Sequence, residues 1–253
     1  MRIFAVIPAR NEARTIRAVA SAAINQVDRV IVIDDGSEDQ TTAALDGLAL
    51  DLIRRPTPGG KAAALAAGFE HALARAADLI ITLDGDGQHD PADIARLVAA
   101  AHAFPEHLVL GARLRNRSGQ PHIRRFANHF ADFWVSWASG QRVPDSQTGF
   151  RVYPRRLLET VRPSTRRRHG FVFETAMLVD GARAGFPCVA VPIDSVYRDD
   201  ARPSYFRAGK DVWEITRFIS GRILLCGLYL QGLWRSLRYR AKFHAASPGT
   251  DYS

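Results

Sequence analysis

Three polar clusters punctuate the early part of the chain: Pro8-Ala9-Arg10-Asn11-Glu12, Asp34-Asp35-Gly36-Ser37 and Asp84-Gly85-Asp86-Gly87-Gln88. In the last of these, two carboxylates stand one residue apart and the amide oxygen of Gln88 follows. Oxygen donors at that spacing reach one hard divalent cation, Mg²⁺ or Mn²⁺, of the kind that bridges protein carboxylates and substrate phosphates. No His/Cys grouping has zinc spacing. Asp-Gly is also ordinary turn chemistry, so each cluster taken singly reads as a turn. His89 is adjacent, and a solvated turn residue is at least as good a reading of it as a ligand. Gly59-Gly60-Lys61 lacks the Walker A pattern. Glycines opening a helix still leave backbone N–H groups for a phosphate, with Lys61 to assist.

Each cluster ends an apolar run. Ile3–Ile7, Val30–Ile33 and Leu79–Leu83 read as buried strands, with Leu52-Ile53, Leu108–Leu110 and Val189–Val191 as further ones. Helical spacing covers Glu12–Ile24, Glu38–Leu45, Lys61–Ala76 and a segment from Pro91 to Ala101, capped by Asp90. The alternation predicts an α/β fold with a mostly parallel sheet and helices on both faces. Such sheets bind ligands at the carboxyl ends of their strands, which places all three clusters on one edge. Phe126, Phe130, Phe133, Trp134 and Trp137 fall at helical spacing. They read as a core stripe, or as a lipid-facing groove. The tail from Tyr205 to Arg240 reads as one or two helices.

Length and charge narrow the classes. A chain of 253 residues, 47% hydrophobic and 24% charged, buries a core without staples. Its two cysteines, Cys188 and Cys226, make no disulfide framework. The net charge of +8 is unevenly spread: residues 1–200 hold 25 Lys/Arg against 23 Asp/Glu, and residues 201–253 hold 9 against 3. The basic excess therefore sits beside an apolar stretch, Ile223 to Leu230, with Trp213, Tyr229 and Trp234 nearby. That combination suits an interfacial helix on an anionic leaflet; a helix packed on the domain, or a dimer contact, is the other reading. Arg222 interrupts the longest apolar segment, which falls short of a membrane span. The apolar run after Arg2 is too short for a secretory signal.

The runs "VIPARNEARTI", "VIVIDDGSEDQT", "GGKAAALAAGF" and "ITLDGDGQHDP" resemble the family 2 glycosyltransferases of GT-A fold. "DSQTGFRVY", "GFVFETAML" and "VYRDDARPSYF" resemble the dolichyl-phosphate mannose synthase branch, with its bacterial polyprenyl-phosphate glycosyltransferases. The resemblance implies that Pro8, Arg10, Asn11 and Glu12 hold the nucleotide, with Arg10 standing where an aromatic is usual. It implies that Asp34 and Asp35 contact base and ribose. Lys61 and Gly85 join the donor site. Asp84, Asp86 and Gln88 bind the metal and diphosphate. Arg113, Arg124 and Arg125 receive an acceptor phosphate. Asp145, Thr148, Arg151, Glu174 and Ser204 line the acceptor side, and Arg198 helps neutralise the diphosphate. Tyr205 stands where the branch commonly has Lys or His.

The expected reaction is an inverting transfer from a nucleoside diphosphate sugar to a membrane lipid, with Mg²⁺ or Mn²⁺. Asp86, Asp145 and Arg198 are the expected catalytic residues. A polyprenyl phosphate acceptor needs no strong base; a hydroxyl acceptor on a lipid, pigment or glycan would need one, and Asp145 is the candidate. A nucleotidyltransferase would carry a Gly-rich basic N-terminal signature that "PARNE" lacks. A nucleic-acid-binding module finds no motif here, so no nucleic-acid partner is expected. The expected division is a catalytic domain over 1–205, membrane-interface helices over 206–242 and a flexible tail over 243–253. The expected location is cytoplasmic, peripheral on the inner face of the cell membrane, with homo-oligomerisation through the tail left open.

Overall fold

The computed structural model describes residues 1–114, 122–161, 170–194, 208–225 and 227–244. For 122–127, 170–171 and 208–213 only the helical backbone is described. Seven strands form one sheet: β1 (Ile3–Ala9), β2 (Arg29–Asp34), β3 (Asp51–Arg54), β4 (Leu79–Thr82), β5 (Leu108–Arg113), β6 (Arg151–Pro154) and β7 (Cys188–Ile193). Their order is β3-β2-β1-β4-β6-β5-β7. All pairings are parallel except those of β6, which runs antiparallel to both β4 and β5. β4, β6 and β7 are buried at every position, the mark of a sheet covered on both faces.

Among the described residues eight α-helices cover it: α1 (Ile16–Ile24), α2 (Lys61–Ala74), α3 (Ile94–Ala103), α4 (His122–Ser139), α5 (Arg155–Thr160), α6 (Gly170–Arg183), α7 (Ala208–Leu224) and α8 (Leu230–Arg238). Ile16, Val19 and Ala20 of α1 and Ile94 and Leu97 of α3 build the core on one face. Leu65 and Phe69 of α2, Val135 of α4, Phe173 and Met177 of α6 and Ile219 of α7 build it on the other. The mostly parallel α/β architecture is as expected from the strand–helix alternation. β6 was not anticipated, because four residues carry no readable period.

Two expected helices are shorter. The segment Glu12–Ile24 becomes helical only at Ile16, and Glu38–Leu45 contributes only a 3-10 turn at Ala43–Leu45. Here local side chains outcompete the helix: Asp39 Oδ1 accepts from Thr41 N at 3.0 Å, and Thr41 Oγ1 accepts from Glu12 N at 2.7 Å. Asp90 caps the turn at Pro91–Asp93 as expected, accepting from Ala92 N at 2.9 Å.

The expected boundary at 205/206 does not divide the core. Ile215, Phe218, Ile219 and Ile223 of α7 are buried in it. Phe243 and His244 are not loose either: they pair beside β7, with Ala190 N donating to Lys242 O and His244 N to Ala190 O, both at 2.9 Å. Residues 245–253 lie outside the described residues.

The tail folds back by an unusual turn. Gly227, Leu228 and Tyr229 all have positive φ, at 60°, 66° and 40°. That conformation strains the two non-glycine residues and inverts the usual allocation. The Tyr229 ring inserts against Gly232 and Gly140, with the Arg183 guanidinium 5.1 Å above it. Trp137 Nε1 donates to Leu228 O at 3.1 Å, keying α8 onto α4. The leucines turn outward instead: Leu225 is 86% exposed, Leu230 65%, and Leu224, Leu237 and Trp234 are likewise exposed. The α4 stripe splits, with Phe130 and Phe133 exposed while Trp134 and Trp137 pack against the core.

Gly68 lets α2 lie directly on β1. A Cβ there would sit 2.3 Å from Val6 Cγ1, a buried β-branched side chain with nowhere to move. Gly68→Ala is expected to destabilise the fold by about 1–3 kcal/mol through overpacking. Denaturant unfolding checks this; an unchanged midpoint would contradict the close packing.

Candidate active site

The carboxyl ends of β1, β2, β4 and β5 meet the amino end of β6 on one edge. Hydrogen bonds tie the first two clusters together. Asn11 N donates to Ser37 Oγ at 2.9 Å, and Glu38 N donates to Asn11 Oδ1 at 2.8 Å. Asn11 adopts φ 55°, which its short polar side chain tolerates. Thr15 Oγ1 donates to Gly85 O at 2.6 Å, joining the first cluster to the third. Pro8 and Glu12 are half-buried, and Arg10 is exposed.

Asp34 and Asp35 are both buried, and their carboxylates shape loops. Asp34 accepts from Ser37 N at 2.9 Å and Thr42 Oγ1 at 3.0 Å. Asp35 pairs with Arg55 and accepts from Gly59 N at 2.9 Å and Gly60 N at 2.7 Å. The expectation that these two amides await a phosphate is therefore not met, because Asp35 takes both.

Lys61 opens α2 and reaches across the edge. Its ammonium lies 2.7 Å from Asp84 Oδ1 and 3.2 Å from Glu174 Oε1. Burial pulls the Lys61 pKa down, but the two carboxylates outweigh it and raise it above the ordinary value. Burial likewise pushes Asp84 up, and Lys61, with His89 and Arg113, more than reverses this, leaving it low. Asp86 goes the other way: burial and the Asp84 charge both raise it. Gln88 N donates to Asp86 Oδ1 at 3.0 Å. Buried Glu174 is raised by its burial, against the pull of Lys61 and Arg151. Gly149 is sterically required: a Cβ would lie 2.6 Å from Asp84 Oδ2.

On the other side, Arg113 ends β5 and clasps Asp145. Its backbone N and Nε donate to Asp145 Oδ2 at 2.8 Å each, and Nη2 donates to Oδ1 at 2.7 Å. Burial raises the Asp145 pKa, yet Arg113 overcomes this and holds it low. Thr148 and Arg151 do not reach the surface. Both are fully buried, and the Arg151 guanidinium donates to the carbonyls of Ser146, Thr148 and Glu174 at 2.7–2.8 Å. In this structure both act on the loop itself, with Thr148 Oγ1 accepting from Phe150 N at 3.2 Å. The side chains of Arg124 and Arg125 lie outside the described residues, as do Arg198, Ser204 and Tyr205.

Two residues escaped the sequence reading. His89 is not a solvated turn residue: it is buried against Phe150, ring centroids 5.3 Å apart. Neither ring nitrogen has a hydrogen-bond partner among the described residues. Asp132, the one acid of α4, accepts from Ser146 N at 2.7 Å and Asp145 N at 3.2 Å. An acid inside an aromatic stripe was the available signal for it.

The family model for glycosyl transferase family 2 matches residues 4–162. The chain belongs to this family. A polyprenol monophosphomannose synthase of Mycolicibacterium smegmatis is 29% identical over 212 residues, 78% of this chain and 78% of the relative. An undecaprenyl-phosphate mannosyltransferase of Micrococcus luteus is 28% identical over 231 residues, 86% of this chain and 94% of the relative. In fold, the chain is similar to glucosyl-3-phosphoglycerate synthase from Mycobacterium tuberculosis in complex with Mg²⁺ and UDP. That likeness has a TM-score of 0.69 at 22% identity and covers 90% of this chain and 80% of the other.

The nucleotidyltransferase and nucleic-acid readings are set aside by family membership. The glycosyltransferase's residues fit the expected metal. Burial raises Asp86 and the like charge of Asp84 adds to it, and a divalent cation relieves that repulsion. Among the described residues no group of three His, Cys, Asp or Glu is arranged to hold a metal. Two carboxylates and the Gln88 amide are a partial oxygen set, as suits Mg²⁺ or Mn²⁺ completed by substrate oxygens.

Burial lowers the His89 pKa to about 4. A folded value below the unfolded one means the unfolded chain binds the proton first as pH falls. Stability is thus lost between about 6.5 and about 4, by up to about 3 kcal/mol. Burial and the Asp145 charge raise Asp132 to about 6, which acts in the opposite sense, so a differential measurement is needed. His89→Phe is expected to gain stability relative to the parent as pH falls through that window. Parallel melting curves that keep a constant offset would contradict a buried neutral imidazole.

Proposed function

We propose that this glycosyltransferase moves a sugar, with inversion, from a nucleoside diphosphate sugar to a polyprenyl phosphate at a membrane surface. The observation that carries the reading is the charge arrangement on the sheet edge. The Asp84–Asp86 carboxylates lie on one side with Lys61 against Asp84, and the Arg113–Asp145 pair lies on the other. The names of the Mycolicibacterium and Micrococcus relatives support the acceptor class. Asp84, Asp86 and Gln88 would hold Mg²⁺ or Mn²⁺, which when bound supplies positive charge to the leaving diphosphate. The first two loops, shaped by Asp34 and Asp35, form the nucleotide side with Pro8, Arg10, Asn11 and Glu12. Lys61 holds Asp84 ionised and fixed in place. By resemblance, Arg198 adds a cation to the diphosphate, and Arg124 and Arg125 join Arg113 toward the acceptor.

An acceptor phosphate arrives already ionised and needs no base. A hydroxyl acceptor would need Asp145 to take a proton. With three hydrogen bonds from Arg113 and a lowered pKa, Asp145 is a poor proton acceptor. That favours the phosphate over the hydroxyl. Asp145 instead fixes the plane of the Arg113 guanidinium, a geometry suited to an oxyanion.

The outward face of the tail supports a peripheral place on the inner leaflet. Among the described residues no helix is long and apolar enough to cross a membrane. Leu230, Trp234 and Leu237 of α8 are exposed, and Arg235 and Arg238 lie in its last turn. Apolar insertion beside cations matches an anionic lipid surface.

Calorimetry with UDP and GDP, with and without Mn²⁺, is expected to show metal-dependent binding of one nucleotide. Asp86→Asn is expected to cut turnover on the order of a hundredfold; full Mn²⁺-supported turnover would remove Asp86 from the site. In a flotation assay, Trp234→Ser with Leu237→Ser is expected to release the protein from phosphatidylglycerol vesicles. Undiminished flotation would show that α8 does not contact lipid.

A further inference from the structure

Asp145 has a φ of 52°, in the left-handed region that a short polar side chain tolerates. The contacts around it fix that conformation. One face of that support is Arg151, which takes the carbonyls of Ser146 and Thr148. The other face is α4. Asp132 accepts from the amides of Asp145 and Ser146, one on each carboxylate oxygen, at 3.2 and 2.7 Å. One turn later, Ser136 Oγ accepts from Val143 N at 3.0 Å. The Asp132 carboxylate is thus set beside the Asp145 carboxylate, and like charges so placed repel. Burial and Asp145 together push Asp132 up to about 6. An arrangement that tolerates this repulsion fixes the backbone of residue 145, and through it the carboxylate that clasps Arg113.

We propose that Asp132 is a positioning residue for the acceptor side of the site: by clamping the amides of Asp145 and Ser146, it aims the Arg113 guanidinium. This rests on the reading of Arg113 as the acceptor-phosphate contact. The Asp132 carboxylate bonds the amides of Asp145 and Ser146, on the Arg113 side of the site, so its effect falls on acceptor use and not on the donor.

The test uses Asp132→Asn and Arg113→Lys, singly and together, in the full chain with short-chain polyprenyl phosphate. Asparagine keeps one acceptor oxygen and the side-chain shape but loses the second acceptor. A lost hydrogen bond to a charged group is equivalent to about tenfold or more in affinity. For Asp132→Asn, acceptor KM is expected to rise by about that factor, with donor KM and UDP or GDP affinity unchanged. Combined with Arg113→Lys, the added effect of Asp132→Asn is expected to shrink, because both act on one contact. Equal losses for donor and acceptor, or full additivity in the double variant, would overturn the proposal in favour of general destabilisation. A thermal melt of each variant identifies any that fails to fold; Asp132→Ser, which retains an acceptor oxygen, then replaces it under the same criteria. If Arg113→Lys alone leaves acceptor KM unchanged, the reading of Arg113 fails. If it raises KM while Asp132→Asn does not, only the role of Asp132 fails.

Discussion

The Arg151 guanidinium has no contact with water, and three backbone carbonyls stand in for its hydration. A charge is tolerated inside a protein only where dipoles or counter-charges replace the solvent it has lost. The planar fork of an arginine imposes direction on those dipoles as well as supplying charge. Two of the carbonyls belong to the loop before β6, and the third belongs to Glu174 on α6. Glu174 extends its own side chain to Lys61, and Lys61 reaches Asp84. A continuous series of charges therefore runs from the buried start of β6 to the first carboxylate of the expected metal site. Removing Arg151 would free the loop at one end of that series and leave Glu174 under-compensated.

The series works because β6 runs against its neighbours. In a wholly parallel sheet, the loop entering a strand lies on the edge opposite the ligands. Reversing one strand brings the loop at 145–150 to the ligand edge, with Arg151 opposite Thr82 and beside Leu110. Thr82 Oγ1 donates to Gly149 O at 2.8 Å, holding the loop against the end of β4. Gly149 then passes so close to Asp84 that only hydrogen fits on its α-carbon. One antiparallel strand between two parallel ones thus unites the Asp84 and Asp145 sides of the edge.

What the sequence made legible follows the same logic. The strands that end in polar clusters are apolar runs with turn residues at their ends, and local pattern suffices to read them. Asp84, Asp86 and Lys61 stand out by type and spacing. What local pattern does not carry is which partner a polar side chain finds across the fold. Arg151 looks like an anion contact by type, yet its burial depends on β6, α6 and the loop before it. Asp34 and Asp35 stand out by type, but only the fold shows the loop amides, the Thr42 hydroxyl and the Arg55 guanidinium that meet their oxygens. His89 sits in a polar run, and only its packing against Phe150 shows that it is buried. Asp132 was hidden by the aromatic residues around it.

The tail shows how tertiary constraint decides between two readings that composition leaves open. An apolar, basic segment can insert in a membrane or pack on its own domain, and here one set of its residues packs while another stays exposed. Ile215, Phe218, Ile219 and Ile223 enter the core, while the backbone reverses at Gly227–Tyr229 and Tyr229 locks the return against Gly232. The ring is the amphipathic choice for that slot, because its apolar body fills the gap between two helices under the Arg183 guanidinium. The lock fixes α8 with leucines outward, so the exposed apolar face is imposed by packing and is not a failure to pack. α4 stands between the two environments. Phe130 and Phe133 are exposed, and Asp132 between them in sequence points in to the loop that carries Asp145. A single helix thus carries exposed aromatic side chains and, between them in sequence, the carboxylate that holds the Asp145 loop.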